Sequence, residues 1–249
     1  MTPPVPSLRF ERKLESPSGL VIGCDEVGRG AIAGPLAVGM CVVDLTKRRR
    51  MPEGLRDSKL LSEARREQLE PVTLRWSVAH AIGFASAQEI DRYGLMAALG
   101  MAAHRALDEL RMLGVAVDDV PIVLDGNYDY LGRAVPHRLT VHTKIKADQT
   151  CASVAGASVL SKVARDRLMI EHDAVHPGYG WSRNKGYGSE EHREAISRLG
   201  TTDLHRLTWL RAEEERASVV ALPGFDDDGR QDDAMRVDEP LVSAVLDVD

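Results

Sequence analysis

The sequence predicts an α/β domain with a mixed five-stranded sheet and helices packed around it. Three short apolar strands come first along the chain, and two later strands are each preceded by helical or loop segments. Neighbouring strands with short connections can form an antiparallel meander, whereas strands reached through helical crossovers tend to pair in parallel. In such sheets the chemistry gathers at the strand ends.

The strands are predicted from short apolar runs bounded by glycine, proline or aspartate. A run of four apolar residues at 121–124 is typical of a central strand that is buried on both faces. Residues 139–145 alternate strictly, which is typical of a half-buried strand. The five predicted strands cover residues 20–24, 36–43, 76–85, 121–124 and 139–145.

Four helices are predicted from caps and from apolar residues at helical spacing. Ser62 caps the first helix, which extends to about Leu69, and the second covers residues 95–113. The third, over residues 149–172, opens with small residues that allow a helix to lie close to a sheet. The fourth begins at Ser189.

The two ends of the chain differ in composition from the middle. Residues 1–17 include four prolines and are expected to be a loosely held, flexible segment, and residues 218–249 are expected to be an acidic, disordered tail. Residues 18–217 are expected to form one domain. No apolar run approaches the roughly 20 residues that span a bilayer, and no signal peptide is evident, so we expect a cytoplasmic protein.

The net charge of −6 does not exclude a polyanionic partner. Residues 226–249 alone total −7, so the first 225 residues total +1 and can still carry a basic groove. Candidates for a surface that binds a phosphate backbone are Lys144, Lys146, Lys162, Arg165 and Lys185. Ordinary solvated helix charges are the alternative for Lys162 and Arg165, and an ion pair is a further alternative for Lys162.

The three cysteines, Cys24, Cys41 and Cys151, are far apart and have no CxxC spacing. They therefore predict buried thiols and not a zinc site or a disulfide framework.

Four acids stand where apolar strands or loops end. Asp25 and Glu26 follow the first predicted strand, Asp125 ends the fourth, and Asp148 precedes the small-residue helix. An acid at the end of a buried strand is costly unless it is paired or bound to metal. Several carboxylates at one end of a sheet make an oxygen-only site, which Mg²⁺ or Mn²⁺ prefers.

Each acid also has a purely structural explanation. Asp125 before Gly126 suits a turn, and Asp148 could be a helix N-cap. A strict strand would point Asp25 and Glu26 to opposite faces, so both reach one site only if the chain bends, which Gly28 would permit.

Two glycine-containing segments could contact a ligand. Gly28, Arg29 and Gly30 combine backbone freedom with a cation that can pair with a phosphate. In residues 184–188, Lys185 supplies a cation, and Tyr187 could stack on a sugar or base. A plain tight turn and an exposed glycine-rich loop are the alternatives. The histidines show no metal-binding spacing, and His192 alone is left open as a functional residue.

The run from Val21 to Gly30 resembles the DEVGRG signature of type 2 ribonucleases H, the ribonuclease HII family. The resemblance continues through Asp57-Ser58-Lys59, Leu124-Asp125-Gly126, Lys146-Ala147-Asp148, residues 158–166 and residues 184–188, in the family's order. It covers about residues 20–209.

The resemblance implies a ribonuclease H-like fold with a smaller C-terminal helical region. It implies that Asp25, Glu26, Asp125 and Asp148 are catalytic carboxylates that hold two Mg²⁺ or Mn²⁺ ions. Gly28, Arg29 and Gly30 would grip the junction between a ribonucleotide and the next deoxyribonucleotide, and Tyr187 would stack on the deoxyribose. Lys59, Lys162 and Lys185 would contact the substrate backbone.

The implied activity is cleavage of RNA–DNA hybrids and of duplex DNA on the 5′ side of single ribonucleotides, which leaves 3′-hydroxyl and 5′-phosphate ends. We expect a monomer. The tail lacks paired aromatics, so we also expect no clamp-binding peptide. Leu60 stands where the family usually has a second lysine. No extra domain precedes the first strand, which argues against type 3 relatives. A DNA-junction nuclease and a non-catalytic hybrid binder are the alternatives.

Overall fold

The computed structural model describes residues 5–132 and 139–212. The predicted acidic tail, residues 218–249, lies outside the described residues, as do residues 1–4 of the N-terminal segment. In the part of the chain that is described, no helix is long and apolar enough to cross a membrane.

The described residues form one mixed five-stranded sheet in the spatial order β3-β2-β1-β4-β5. The first three strands pair antiparallel, and β4 pairs in parallel with both β1 and β5, which confirms the predicted sheet. The strands are β1 Leu20–Val27, β2 Leu36–Asp44, β3 Ala79–Ala85, β4 Ile122–Asp125 and β5 Val141–Lys144.

α-Helices pack around the sheet. The two longest of these helices, α3 and α5, pack on opposite faces of the sheet. Alternate residues of β1 face opposite ways, so neighbouring residues of this strand contribute to different cores. Ile22 belongs to the core under α3, and Val21 belongs to the core under α5. The helices are α1 Glu63–Trp76, α2 Ala87–Tyr93, α3 Leu95–Met112, α4 Ala147–Thr150, α5 Ala152–Val175, α6 Trp181–Asn184 and α7 Glu190–Leu199.

The helix α5 lies so close to the sheet that glycine is required beneath it. A Cβ on Gly23 of β1 would overlap the backbone of Ser153, and a Cβ on Gly39 of β2 would lie 2.8 Å from the carbonyl oxygen of Ala157. The small residues at the start of α5 therefore allow the helix to lie close to the sheet, as predicted. This close approach also requires the glycines in the strands beneath them.

The N-terminal segment differs from the loosely held one that was predicted. In its described part, Ser7 forms a parallel bridge with Cys151 and donates its N–H to the Thr150 carbonyl at 3.1 Å. The buried carboxylate of Glu11 accepts from the backbone N–H and the hydroxyl of Ser153, at 3.0 and 2.8 Å. These contacts satisfy donors at the first turn of α5, so the segment caps this helix.

Three element boundaries differ from the prediction. The first helix continues past Pro71 to Trp76, because Leu69, Thr73 and Trp76 bury one face of it, and β3 therefore starts only at Ala79. The helix α2, with its Ser86–Glu89 capping box, was not predicted. The predicted helix over residues 149–172 is two helices, α4 and α5, separated by Cys151 in an extended conformation.

The smaller C-terminal helical region, predicted from the resemblance, contains α6 and α7. Its core is a cluster of aromatic rings in which Tyr179 stacks on Trp181, with ring centroids 5.1 Å apart. Ser189 caps α7, as predicted, by accepting from the N–H of His192 at 3.3 Å. All three cysteines are buried and free, which confirms the prediction of ordinary thiols.

We predict that Gly23→Ala destabilises the protein because the added methyl group forces β1 and α5 apart. Overpacking of this kind costs about 1–3 kcal/mol or more, so urea unfolding should show a clearly lower midpoint. Gly30→Ala is the matched control, because no atom lies within 4 Å of where its Cβ would be. Equal midpoints for the two variants would contradict the close approach.

Candidate active site

The parallel pairing of β1 and β4 brings two of the predicted acids to the same edge of the sheet. Cys24 is in register with Leu124, so Asp25 and Asp125 follow side by side at the carboxyl ends of adjacent strands. Asp25 and Glu26 lie inside β1, which continues to Val27, and not after it as predicted. The strand extends because both residues pair with β2.

Asp25 and Glu26 point to opposite faces of the sheet, so the chain does not bend to bring them together. Asp25 is buried on the α5 side, where the Ser158 hydroxyl favours its ionised form and so lowers its pKa against the effect of burial. Glu26 lies on the other side, where the hydroxyl of Tyr130 donates to Oε2 at 3.4 Å and Arg29 pairs with Oε1 at 3.5 Å. The two carboxylates still interact electrostatically across the strand end.

Asp125 and Asp148 approach each other through the turn between β5 and α4. The backbone N–H of Ala147 donates to Asp125 Oδ1 at 2.6 Å. Asp148 is buried in the first turn of α4, whose N-cap is Lys146 in the left-handed conformation. The alternative that Asp148 is an N-cap is therefore wrong, and its carboxyl group is free to face the other acids.

The carboxylates repel one another, and this repulsion helps to raise the pKa values of Asp25, Glu26 and Asp148. Burial, followed by the charge of Glu26, raises the pKa of Asp25 well above its ordinary value. Burial is also the main cause that raises the pKa of Glu26, with Asp125 adding to it. The pKa of Asp148 rises to about 6, through burial and then the charge of Asp125. Three neighbouring acids with raised pKa values, Asp25, Glu26 and Asp148, are typical of a functional site.

Two further residues that sequence reasoning had not assigned complete this cluster. Asp57 is buried, and its charge adds to the causes that raise the pKa of Asp148. Its Oδ1 accepts from the backbone N–H of Lys59 at 2.9 Å. Ser158 accepts from the N–H of Ser58 at 3.3 Å, and its hydroxyl acts against burial by lowering the pKa of Asp25. Both residues lie in segments that carry the resemblance, and that was the available signal.

Lys59, predicted to bind substrate, is a cation that interacts electrostatically with the acid cluster. Its side chain is exposed, and the charges of Asp25, Asp57, Asp148 and Asp125 together raise its pKa although burial opposes them. An exposed ammonium beside a carboxylate cluster can hold a phosphate that would otherwise be repelled.

The acid cluster has the right donor chemistry for a hard divalent cation, because all its ligands are carboxylate oxygens. As the side chains stand, no group of three or more His, Cys, Asp or Glu residues within 5–132 and 139–212 is placed to enclose a metal ion. Glu26 faces Tyr130 and Arg29, so it would have to turn. The repulsion between the carboxylates is what a bound cation would relieve, and the residues therefore fit such an ion.

The loop after β1 holds Gly28, Arg29 and Gly30 close to Glu26. Gly28 has a φ of +79°, which favours glycine, and a Cβ there would overlap the side chain of Arg165. The side chain of Arg29 is 56% exposed, and Gly30 is exposed with open space at its Cβ position. The loop is therefore accessible to a ligand.

Tyr187 is exposed at the surface between two cations. Lys162 Nζ lies 5.7 Å and the Arg165 guanidinium 5.6 Å from the centroid of its ring. Lys162 also pairs with Asp166 at 2.7 Å, so the ion pair considered for it is present. The break at Cys151 also means that no continuous helix joins Asp148 to Lys162.

Two further cations predicted for a backbone-binding surface, Arg165 and Lys185, have other partners. Arg165 is fully buried and donates to the carbonyls of Pro35, Ala33 and Lys185. Lys185 is only 7% exposed, and its Nζ contacts the Ser182 carbonyl and Glu63. Arg165 projects from α5 into the interior, so the prediction of a surface cation is wrong for it, and the side chain of Lys185 is enclosed by its loop.

The two remaining cations of that set lie near the sheet edge. Lys144 Nζ lies 5.6 Å from the centroid of the Phe10 ring, and Lys146 is exposed at the N-cap of α4. The exposed Lys146 directly precedes the turn that carries Asp148, so of the two it has the freer access to a phosphate.

His192 is buried in the aromatic cluster and lies outside the acid cluster. Its Nε2 accepts from Trp181 Nε1 at 2.9 Å, and its Nδ1 lies 2.9 Å from the carbonyl oxygen of Tyr187. A carbonyl only accepts, so Nδ1 carries the proton and the tautomer is fixed. Burial lowers the pKa of His192, in agreement with a neutral ring.

The sequence matches the family model described as Ribonuclease HII over residues 22–212, well over half of the chain. The chain belongs to the ribonuclease HII family. A Ribonuclease HII from Streptomyces griseus is 47% identical over 209 residues, which cover 82% of this chain and 84% of that protein. As a member of the family, the chain is a ribonuclease H endonuclease, a hydrolase.

Solved structures agree with this placement in the ribonuclease HII family. The crystal structure of the ribonuclease H2 from Pyrococcus horikoshii OT3 is 25% identical, with a TM-score of 0.59, over 82% of this chain and all of that one. The Bst-RNase HIII in complex with Mn²⁺ has a TM-score of 0.63 over 82% of this chain and 70% of that one. At 22% identity the latter shows the shared fold alone.

The raised pKa of Asp148 predicts how stability depends on pH when divalent metal is removed. Between its ordinary value of 3.8 and about 6 the folded protein binds more protons at this carboxyl than the unfolded chain does. Stability therefore falls as the pH rises through this window. Asp148→Asn should raise the Tm at pH 8 in EDTA by about 2–6 °C and should give no gain at pH 4.

Glu109→Gln is the matched control for this experiment, because Glu109 is exposed on α3. Its melting temperature should follow that of the parent at both pH values. A stabilisation by Asp148→Asn that is the same at pH 4 and pH 8 would contradict an origin in the ionised carboxylate.

Proposed function

We propose that this enzyme hydrolyses the RNA strand of RNA–DNA hybrids and nicks duplex DNA on the 5′ side of single embedded ribonucleotides. The observation that carries the proposal is the carboxylate cluster at the ends of β1 and β4, with the accessible Gly28–Gly30 loop directly beside it. The carboxylate cluster would carry out phosphodiester hydrolysis, and the loop would recognise a nucleic-acid strand. Membership of the ribonuclease HII family supports both.

Asp25, Glu26, Asp125 and Asp148 would hold two divalent ions, either Mg²⁺ or Mn²⁺. Such ions lower the pKa of a bound water and stabilise the leaving oxygen. The charges of Glu26, Asp125 and Asp148 all raise the pKa of Asp25, so Asp25 would suit a ligand shared by both ions. A solved structure of the same fold is described as a Mn²⁺ complex, which is consistent with this chemistry.

The side chains around the cluster would position these ligands. The N–H of Ala147 donates to Asp125, Tyr130 donates to Glu26, and the Ser158 hydroxyl favours the ionised form of Asp25. Hydrogen bonds to ligand oxygens fix their orientation and are part of a metal site. Water would be the nucleophile and the 2′-hydroxyl would stay intact, so the products would end in 3′-hydroxyl and 5′-phosphate.

Substrate recognition would use the exposed groups near the cluster. Arg29 and Lys59 would pair with phosphates, the Gly28–Gly30 backbone would approach the sugar at the junction, and Tyr187 would stack on the following deoxyribose. Lys162 flanks the Tyr187 ring and would supply charge to the same strand. The side chain of Lys185 is enclosed by its loop, so Lys185 would add positive charge near the substrate without being exposed.

A non-catalytic hybrid binder is the alternative from another class. Buried, mutually repelling carboxylates at the centre of a binding surface would weaken the binding of a polyanion unless cations neutralise them. We therefore favour the enzyme. We also propose that it acts as a cytoplasmic monomer and without a clamp-binding peptide.

We predict that Asp25→Asn lowers kcat on an RNA–DNA hybrid by at least about a hundredfold, because it removes the carboxylate central to the cluster. The measurement is the initial rate of cleavage of an end-labelled hybrid in Mg²⁺, with Glu109→Gln as the control. Turnover of Asp25→Asn within about threefold of the parent would refute the two-metal assignment.

The substrate proposal is tested with two end-labelled duplexes, one with a single ribonucleotide in DNA and one with an all-RNA strand on DNA. Both should be cut in Mg²⁺ or Mn²⁺, the first on the 5′ side of the ribonucleotide, and EDTA should abolish both reactions. Cleavage of the hybrid alone would remove the junction roles of Arg29 and Tyr187. Cleavage of neither, with binding retained in EDTA, would favour the hybrid binder.

A further inference from the structure

Two fully buried arginines, Arg165 and Arg206, lie beneath the Gly28–Gly30 loop and remain unexplained by the proposed chemistry. In residues 5–132 and 139–212 neither guanidinium forms a salt bridge to a carboxylate. Burial lowers the pKa of both, that of Arg206 to about 9. A buried charge without a counter-charge is costly and therefore calls for a function.

Arg206 is bonded entirely to the carbonyls of the loop after β1. Its Nη2 donates to Gly28 at 2.7 Å, its Nη1 to Arg29 at 3.0 Å, and its Nε to Gly34 at 3.2 Å. The planar guanidinium thus holds both ends of the loop.

These contacts decide which way the loop presents its amides. In a trans peptide the C=O of one residue and the N–H of the next point in opposite directions, and the described chain has no cis peptides. With the carbonyls of Gly28 and Arg29 turned inward to Arg206, the N–H groups of Arg29 and Gly30 point outward. Neither amide has a partner within the described residues, so both can donate to a ligand.

Arg165 joins this loop to the one that carries Tyr187. It donates to Ala33 at 3.3 Å and Pro35 at 2.7 Å in the first loop, and to Lys185 at 2.9 Å in the second. Its guanidinium also lies 5.6 Å from the ring centroid of Tyr187.

The backbones of the two loops are bonded directly as well. The N–H groups of Ile32 and Ala33 donate to the Gly186 carbonyl at 2.9 and 3.0 Å. The N–H of Gly34 donates to the Leu204 carbonyl at 2.7 Å, close to Arg206 in sequence. The two loops therefore form one connected unit with the arginines at its centre.

We propose that Arg165 and Arg206 are positioning residues that fix the Gly28–Gly30 amides and the Tyr187 ring at one separation, and that this sets the preference for a ribonucleotide–deoxyribonucleotide junction. The inference rests on the proposed function. A junction is read at two adjacent nucleotides, so the two reading groups must keep their spacing. A long hybrid offers many equivalent registers and depends less on that spacing.

The test compares kcat/KM on the single-ribonucleotide duplex with kcat/KM on the all-RNA strand for Arg206→Lys. Lysine keeps the charge but cannot reach three carbonyls at once. We expect the ratio of the two values to fall about tenfold, mainly through KM on the single-ribonucleotide duplex. A ratio within about twofold of the parent would overturn the inference, because a purely structural role lowers both values together.

Arg49→Lys is the matched control, because Arg49 also donates to backbone carbonyls, those of Arg75 and Trp76, but away from these loops. Its ratio should equal that of the parent. Nicking by the parent enzyme tests the proposed function separately, so a parent that nicks the junction while Arg206→Lys keeps its ratio would refute only the inference.

Hydrogen exchange on the unaltered protein provides a second measurement that needs neither a variant nor activity. The amides of Ile32, Ala33 and Gly34 should exchange as slowly as those of β2. Exchange at the rate of an exposed loop would show that the two loops are not held together, and would overturn the inference even if Arg206→Lys does not fold.

Discussion

The close approach of α5 to the sheet is the constraint on which the rest of the structure depends. Gly23 and Gly39 have no room for a side chain beneath this helix. The same contact places Ser158 against Asp25 and carries Arg165, farther along α5, under the loop that follows β1. One helix thus supports the carboxylate cluster and both loops beside it, so a shift of α5 would disturb all three together.

The carboxylate cluster is held against its own repulsion by this framework. Burial and neighbouring charges raise the pKa values of Asp25, Glu26 and Asp148, and the ammonium of Lys59 offsets only part of that effect. Folding therefore stores unfavourable electrostatic energy at the site, which a divalent ion would release on binding. A site that is unfavourable when empty binds its cation more strongly than a relaxed one, provided that its oxygens are already positioned.

The sequence predicted the sheet and its mixed pairing well, because apolar runs are local patterns, and it pointed to Asp25 and Asp125, which follow side by side in adjacent strands. It could not show that β1 continues through Glu26, since that depends on pairing with β2. Arg165 and Lys185 look like surface cations in sequence, and only tertiary contacts turn them inward. Arg206 gave no local signal at all, because its partners lie more than 170 residues away.

The docking of the N-terminal segment has a consequence for how the chain folds during synthesis. Glu11 and Ser153 are 142 residues apart, so Glu11 leaves the ribosome well before its partner is synthesised. Contacts of such long range close late and slow the overall reaction. Until then the first turn of α5 lacks its cap, and the nascent enzyme presents an incomplete helix on which its active site will be built.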